Sequence, residues 1–166
     1  DVIPPTPEDY AEGISTIIKE RCQSLGIRLP KLILEPGRFC LESAVTWLTR
    51  VGDIKVDKTL ARKTWVYVDG NINEMGDPFD SFVSYHYVIV ANETFRPAQG
   101  PVDICGQLCN GADILAKNRT MPQLQVGDIL AFMDMGAYNE SFANQSNAMP
   151  RSKTVMVSNG RSSIAR

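Results

Sequence analysis

No stretch of the 166-residue sequence approaches the roughly 20 consecutive apolar residues that a membrane-spanning helix needs, which excludes that class of element. The opening residues are polar and proline-rich, unlike a secretory signal. There is no basic block: 17 Lys and Arg stand against 19 Asp and Glu for a net charge of -2, which argues against nucleic acid or an anionic membrane surface as partner. Histidine occurs once, as His86, and the four cysteines Cys22, Cys40, Cys105 and Cys109 are scattered, which argues against a structural zinc site. The cysteines read as free, mostly buried thiols of a reducing compartment, so a cytoplasmic protein is expected and no metal. Sequons at Asn92, Asn118, Asn139 and Asn144 would matter only in a secreted protein. Internal repeats and low-complexity tracts are also missing. What remains, at 43% hydrophobic content, is an ordinary globular composition sufficient for one core and a short appendage.

Two kinds of pattern follow each other along the chain. From Glu8 to Leu25, Tyr10, Ile14, Ile17, Ile18, Cys22 and Leu25 recur at three- and four-residue steps, which predicts an amphipathic helix. Thr6 is its N-cap, Pro7 its first residue and Gly26 its stop. Lys31 to Leu34 then reads as a short apolar strand of the kind buried in parallel sheets. Beyond Arg38 the runs Leu41–Val51, Thr64–Val68, Ser84–Val90, Val102–Cys105, Ile129–Met133 and Thr154–Val157 are rich in Val, Ile, Thr and aromatics. Gly, Pro, Asn and Asp turns separate them, which predicts antiparallel β-structure closed into a barrel or sandwich. One helix and one buried parallel strand cannot make a parallel sheet. Residues 1–36 are therefore expected to be the tail of a larger domain and 37–166 a β-domain.

The chemistry is concentrated at the junction. Glu35-Pro36-Gly37-Arg38 follows the apolar run directly and brings a carboxylate, a tight turn and a guanidinium to one point. Glycine allows backbone N–H groups close to an anion, arginine offers a fork of donors matched to phosphate, and a glutamate can hold a ring nitrogen protonated. The same four residues also suit a strand end with a turn and a surface ion pair. Three further motifs follow in order: Cys109-Asn110-Gly111-Ala112-Asp113, Leu124-Gln125-Val126-Gly127-Asp128-Ile129-Leu130, and Asp134-Met135-Gly136-Ala137-Tyr138.

Together these motifs resemble the fold-type III pyridoxal-phosphate amino-acid decarboxylases, the family of the diaminopimelate, ornithine and arginine decarboxylases, from about Leu32 to the C-terminus. The resemblance implies the last helix and strand of a TIM barrel followed by the C-terminal β-domain, in a protein more than twice this long. The barrel's cofactor lysine, its ring-stacking histidine and its glycine-rich phosphate loop have no counterpart here, so the fragment alone is expected to be inactive. By resemblance, Glu35 meets the pyridine nitrogen of pyridoxal 5'-phosphate, Gly37 and Arg38 lie at its phosphate, and the Tyr138 hydroxyl reaches that phosphate. Without the motifs, Tyr138 reads as a half-buried aromatic at a strand end.

Cys109, four residues before Asp113, takes by resemblance the role of the acid that reprotonates the substrate carbon. A thiol with an ordinary pKa near 8.5 suits that work. In the family this cysteine crosses a dimer interface into the partner's site, which implies a homodimer. The chain has Gly106-Gln107-Leu108-Cys109 where the family usually has a proline after the glycine, which leaves Cys105 as an alternative exposed thiol. His86 reads as a packed structural histidine. For the amino-acid substrate, the family's Arg-Pro-x-x-Tyr element is replaced by Asp77 before Pro78 and by Phe82, and Asn110 stands where a glutamate follows the cysteine. Losing a guanidinium and a hydroxyl would leave a distal carboxylate unpaired at roughly 2–5 kcal/mol. Asp77 or Asp80 would then attract a distal amine, or both are solvated turn residues. A non-catalytic regulatory or dimerisation homologue is the alternative, and a racemase, which would lean on a tyrosine base, is a third.

Overall fold

The computed structural model describes residues 4–59, 63–75, 86–92, 96–98 and 100–165. The chain divides into two compact units, Asp1–Glu35 and Pro36–Arg166.

The first unit is organised by helix α1, Pro7–Leu25. The Thr6 backbone N–H donates to the Asp9 carboxylate at 2.7 Å and the Asp9 N–H donates to the Thr6 hydroxyl at 3.2 Å, a reciprocal capping box. Gly26, at φ 63°, ends the helix in the left-handed region and donates to the Gln23 carbonyl at 3.2 Å. Cap, first-turn proline and stop are those expected from the sequence. The apolar stripe is less covered than its spacing suggests, because Tyr10, Ile17 and Leu25 are exposed. Ile27, Leu29, Leu32, Ile33 and Leu34 are exposed as well. The strand expected over Lys31 to Leu34 is not formed: no described residue pairs with this segment, and a strand without a ladder leaves its backbone groups to water.

The second unit is mainly β, as expected. Strands β1 (Trp47–Val56), β2 (Thr64–Val68), β3 (Val88–Val90), β4 (Val102–Cys105), β5 (Ile114–Arg119) and β6 (Ile129–Phe132) form one sheet in the order β3-β6-β1-β2-β4-β5. Four of its pairings are antiparallel, but β2 and β4 run parallel, Thr64 opposite Val102 through Tyr67 opposite Cys105. The sheet is therefore mixed rather than wholly antiparallel. Strand propensity is blind to direction, and the long connection over residues 69–101 supplies the crossover that a parallel pair needs.

Alternation positions the core. In β1, Trp47, Thr49 and Val51 are buried while Leu48 and Arg50 are exposed, and in β2 Thr64, Val66 and Val68 are buried. Phe132 is fully buried, with its ring centroid 5.2 Å from that of Trp47 at a 42° tilt. All four residues of β4 are buried between β2 and β5. The predicted run from Leu41 does not start as a strand: Arg38–Cys40 and Glu42–Ala44 are tight 3-10 turns, and β1 begins at Trp47. A separate hairpin, β7 (Val155–Ser158) and β8 (Arg161–Ile164), turns at Asn159-Gly160, whose φ angles are 49° and 72°.

One ion pair clips the sheet's β1–β6 end. Arg96 donates to both oxygens of Asp128, at 2.6 and 2.9 Å, and the Gln125 N–H donates to the same carboxylate at 2.8 Å. The Arg96 hydrogen bonds hold the Asp128 carboxyl below the usual carboxylate range, against the opposing effect of burial. Such a depressed group stabilises the fold above its unfolded value of ~3.9, and that contribution is lost as pH falls through the lower folded value. Asp128→Asn is expected to cost about 2 kcal/mol at neutral pH. Urea unfolding of variant and parent should converge as pH drops below ~3.9, and a gap that persists there would dismiss the carboxylate as its cause.

Candidate functional site

Two motifs about a hundred residues apart in sequence meet in the second unit. The Gly136 N–H donates to the Glu42 carbonyl and the Met135 N–H to the Val45 carbonyl, both at 2.9 Å, which stitches the 134–138 turn onto the segment after Arg38. A Cβ added to Gly136 would collide with the Leu41 backbone carbonyl, so only glycine permits this approach. Buried Asn139 braces the same turn through its side-chain amide, which donates to the Ala137 carbonyl at 3.2 Å. Tyr138 itself sits at φ 66°, a conformation uncommon for an aromatic and one that turns the chain back toward Gly37.

The result is a tight cluster. A Cβ on Gly37 would collide with the Tyr138 hydroxyl, and the Arg38 guanidinium lies 5.1 Å above the centre of the Tyr138 ring. Arg38 also pairs with Glu42 at 3.6 Å. Gly37 and Tyr138 line an open cleft of about 690 Å³, together with Gly136, Glu140 and Arg151. Arg151 went unnoticed in the sequence. One of its terminal nitrogens donates to the carbonyls of Glu140 and Ala143, at the end of the short helix α2 (Asn139–Phe142), while its Nε is buried with no acceptor among the described residues. Only its position after Pro150, beyond the tyrosine motif, hinted at a role.

Cys109 does not line this cleft. It is exposed on the loop between β4 and β5. Asn110 next to it is also exposed, and its side-chain oxygen accepts the Ala112 N–H at 2.9 Å, closing the loop locally. Cys105, the other thiol considered, is buried in β4, and burial followed by the nearby carboxylates of Asp103 and Asp113 pushes it up to about 11. A thiol in that environment stays protonated and out of reach.

Glu35 is exposed and ends the first unit. Asp77 and Asp80, with Phe82, lie outside the described residues. His86 is buried, as expected of a packed histidine. Among the described residues no group of three metal-ligating side chains converges, and no helix is long and apolar enough to cross a membrane.

Residues 16–136 match the family described as pyridoxal-dependent decarboxylase, C-terminal sheet domain. The chain belongs to this family. A diaminopimelate decarboxylase of Methanothermobacter thermautotrophicus is 32% identical over 171 residues, covering 99% of this chain and 39% of the relative. That of Archaeoglobus fulgidus is 35% identical over 162 residues, covering 98% of this chain and 37% of the relative. The crystal structure of the M. jannaschii diaminopimelate decarboxylase in complex with L-lysine superposes with a TM-score of 0.85 at 33% identity, covering all of this chain and 36% of that one. The chain thus spans well under half the length of these relatives.

For a decarboxylase sheet domain, the cleft at Tyr138 is suited to a phosphate group. Gly37, the Arg151 guanidinium and the Tyr138 phenol line it, and the Arg38 guanidinium lies over the Tyr138 ring, so a cationic and a neutral donor stand in one recess with a second cation beside it. The buried Nε of Arg151, without an acceptor among the described residues, leaves one donor that an anion could meet.

Proposed function

We propose that the complete protein is a pyridoxal-phosphate-dependent decarboxylase of a basic amino acid or a derivative of one, similar to diaminopimelate decarboxylase, and that this chain is its C-terminal portion, inactive alone. The observation that carries the reading is the meeting of Gly37 and Tyr138 in one cleft, with the Arg38 guanidinium stacked on the Tyr138 ring. Residues 1–36 are then the tail of a (β/α)8 barrel, and the exposed apolar residues of α1 and of 27–34 are the surface that barrel would cover.

Family membership supports pyridoxal 5'-phosphate as cofactor. When bound, it supplies the electron sink that lets the α-carboxylate leave as carbon dioxide. In this proposal, Gly37, Arg38 and Tyr138 hold the phosphate, Arg151 adds a second cation beside them, and Glu35 keeps the ring nitrogen protonated. Cys109 Sγ gives its proton to the carbon that has lost the carboxylate. Its absence from the lining of the Tyr138 cleft is what a shared active site would require, with Cys109 serving the partner's cleft in a homodimer. Asp77, Asp80 and Asn110 read the distal end of the substrate, with lysine-like amines favoured over a distal carboxylate. The thiols, none paired in a disulfide, support a reducing, cytoplasmic setting.

Pyridoxal phosphate titrated into the complete protein should bind, and Arg38→Ala and Tyr138→Phe should each weaken that binding about 10-fold, the worth of one charge-assisted hydrogen bond. Carbon dioxide release on diaminopimelate, ornithine, lysine and arginine names the substrate. A complete protein that binds no cofactor would leave a regulatory or dimerisation homologue as the reading.

A further inference from the structure

Asp113 is buried, 3% exposed, yet no described cation pairs with it. Its carboxylate is spent on backbone. One oxygen accepts the Ile72 N–H and the other the Leu108 N–H, both at 2.7 Å. Its own backbone closes the loop: the carbonyl accepts the Gly106 N–H at 2.9 Å, and its N–H donates to the Asn110 carbonyl at 3.0 Å. Gly106 exists in this arrangement because a Cβ there would collide with both carboxylate oxygens. A second tie runs in parallel, from the Gln107 side-chain amide to the Asp69 carbonyl. Desolvating a carboxylate for two neutral donors is a costly way to gain stability, and what it secures is geometry.

The two segments so joined are the loop that carries Cys109 and the Asp69-Gly70-Asn71-Ile72-Asn73 turn. The turn is tied onward: the Asn73 side chain donates to the Ser146 carbonyl at 2.9 Å, the Asn144 N–H donates to the Asn73 carbonyl at 3.0 Å, and the Ser152 N–H donates to the Glu74 carboxylate at 3.0 Å. Ser152 follows Arg151 of the cleft. A hydrogen-bonded path therefore runs from the thiol loop, through Asp113, to the segment carrying Arg151.

We propose that Asp113 is the positioning residue of the proton donor, its carboxylate locking the Cys109 loop to the 69–73 turn so that the thiol is delivered at a fixed place. The inference rests on the role proposed for Cys109. Asp113 itself meets no substrate; it acts through the loop.

The test uses the complete protein with Asp113→Asn and Gly106→Ala, each alone and combined with Cys109→Ala. Asparagine keeps the shape of Asp113 but sets an NH2 group against one of the two N–H donors; the alanine at 106 displaces the carboxylate while leaving it charged. Each single variant is expected to lower kcat roughly 10–100-fold, the cost of a reacting group misplaced by an ångström or so. In the Cys109→Ala background the same changes should alter kcat less than about 2-fold, because the thiol they position is gone. Without added cofactor, amide hydrogen exchange over 70–73 and 106–110 should accelerate together in both variants. Equal losses of kcat in both backgrounds, or exchange that quickens in only one segment, would overturn the proposal and leave Asp113 a structural residue. If the parent binds cofactor and turns over but Cys109→Ala is silent, the proton-donor assignment and this inference both fall. If the parent neither binds cofactor nor turns over, the decarboxylase reading fails, and with it the role of Asp113 toward a proton donor.

Discussion

Cys109→Ala in the complete protein is expected to lower kcat by about 10²–10⁴-fold, the usual worth of a positioned acid, while pyridoxal-phosphate binding stays as in the parent. The separation follows from where the residues lie: Cys109 is exposed on the β4–β5 loop and takes no part in lining the Tyr138 cleft. Cys105→Ala is the matched control. Its thiol is buried and pushed up to about 11, so removing it should cost about 1 kcal/mol of packing and leave kcat within 2-fold. Carbon dioxide release and cofactor titration on the two variants give the comparison. Equal activity of Cys109→Ala and parent would remove the thiol from the mechanism; loss of cofactor binding instead would place it in the wrong part of the site.

The features legible in the sequence are those set by local chemistry. Thr6, Pro7 and Gly26 bound α1 because capping and a left-handed stop depend on a handful of adjacent residues. Alternation along Trp47 to Val51 announces a half-buried strand for the same reason. Direction and partnership are not local. Nothing in Val102–Cys105 says that it pairs parallel with β2, and the apolar run Lys31–Leu34 reads as a strand although no described residue offers it a ladder. The Asn159-Gly160 signal for the β7–β8 hairpin was present in the sequence and overlooked, because Arg161–Ile164 is too polar to read as a strand alone.

The site divides along the same line. Gly37, Arg38 and Tyr138 stand out as residue types suited to an anion, but that Gly37 and Tyr138 share one cleft, with Arg38 against the Tyr138 ring, is a property of the 134–138 turn stitched against residues 41–45. Arg151 and Asp113 were missed as parts of a site because their importance lies in what they touch: an arginine in a polar segment and an aspartate in a loop have no periodicity to betray them. Which of Cys105 and Cys109 is the exposed thiol was open in sequence; Cys109 is exposed and Cys105 is buried.

Gly136 is where fold and site depend on one atom. A Cβ there would collide with the Leu41 carbonyl, a backbone group that cannot swing aside as a side-chain tip would. Gly136→Ala must therefore push the 134–138 turn off residues 41–45, straining the hydrogen bonds from Met135 and Gly136 to the Val45 and Glu42 carbonyls. Overpacking of this kind and two weakened backbone bonds together cost about 3–4 kcal/mol. Because Tyr138 rides on the turn, the same change should pull its hydroxyl from Gly37 and weaken pyridoxal-phosphate binding more than Tyr138→Phe does, by about 100-fold, since the whole cradle opens. Gly111→Ala is the control, as a Cβ there meets nothing within 4 Å, and it should shift stability by less than about 1 kcal/mol. Hydrogen-exchange protection of residues 129–133 and cofactor affinity, measured on both variants of the complete protein, decide it. If Gly136→Ala kept parental protection and affinity, the contact with Leu41 would not be what builds the cleft.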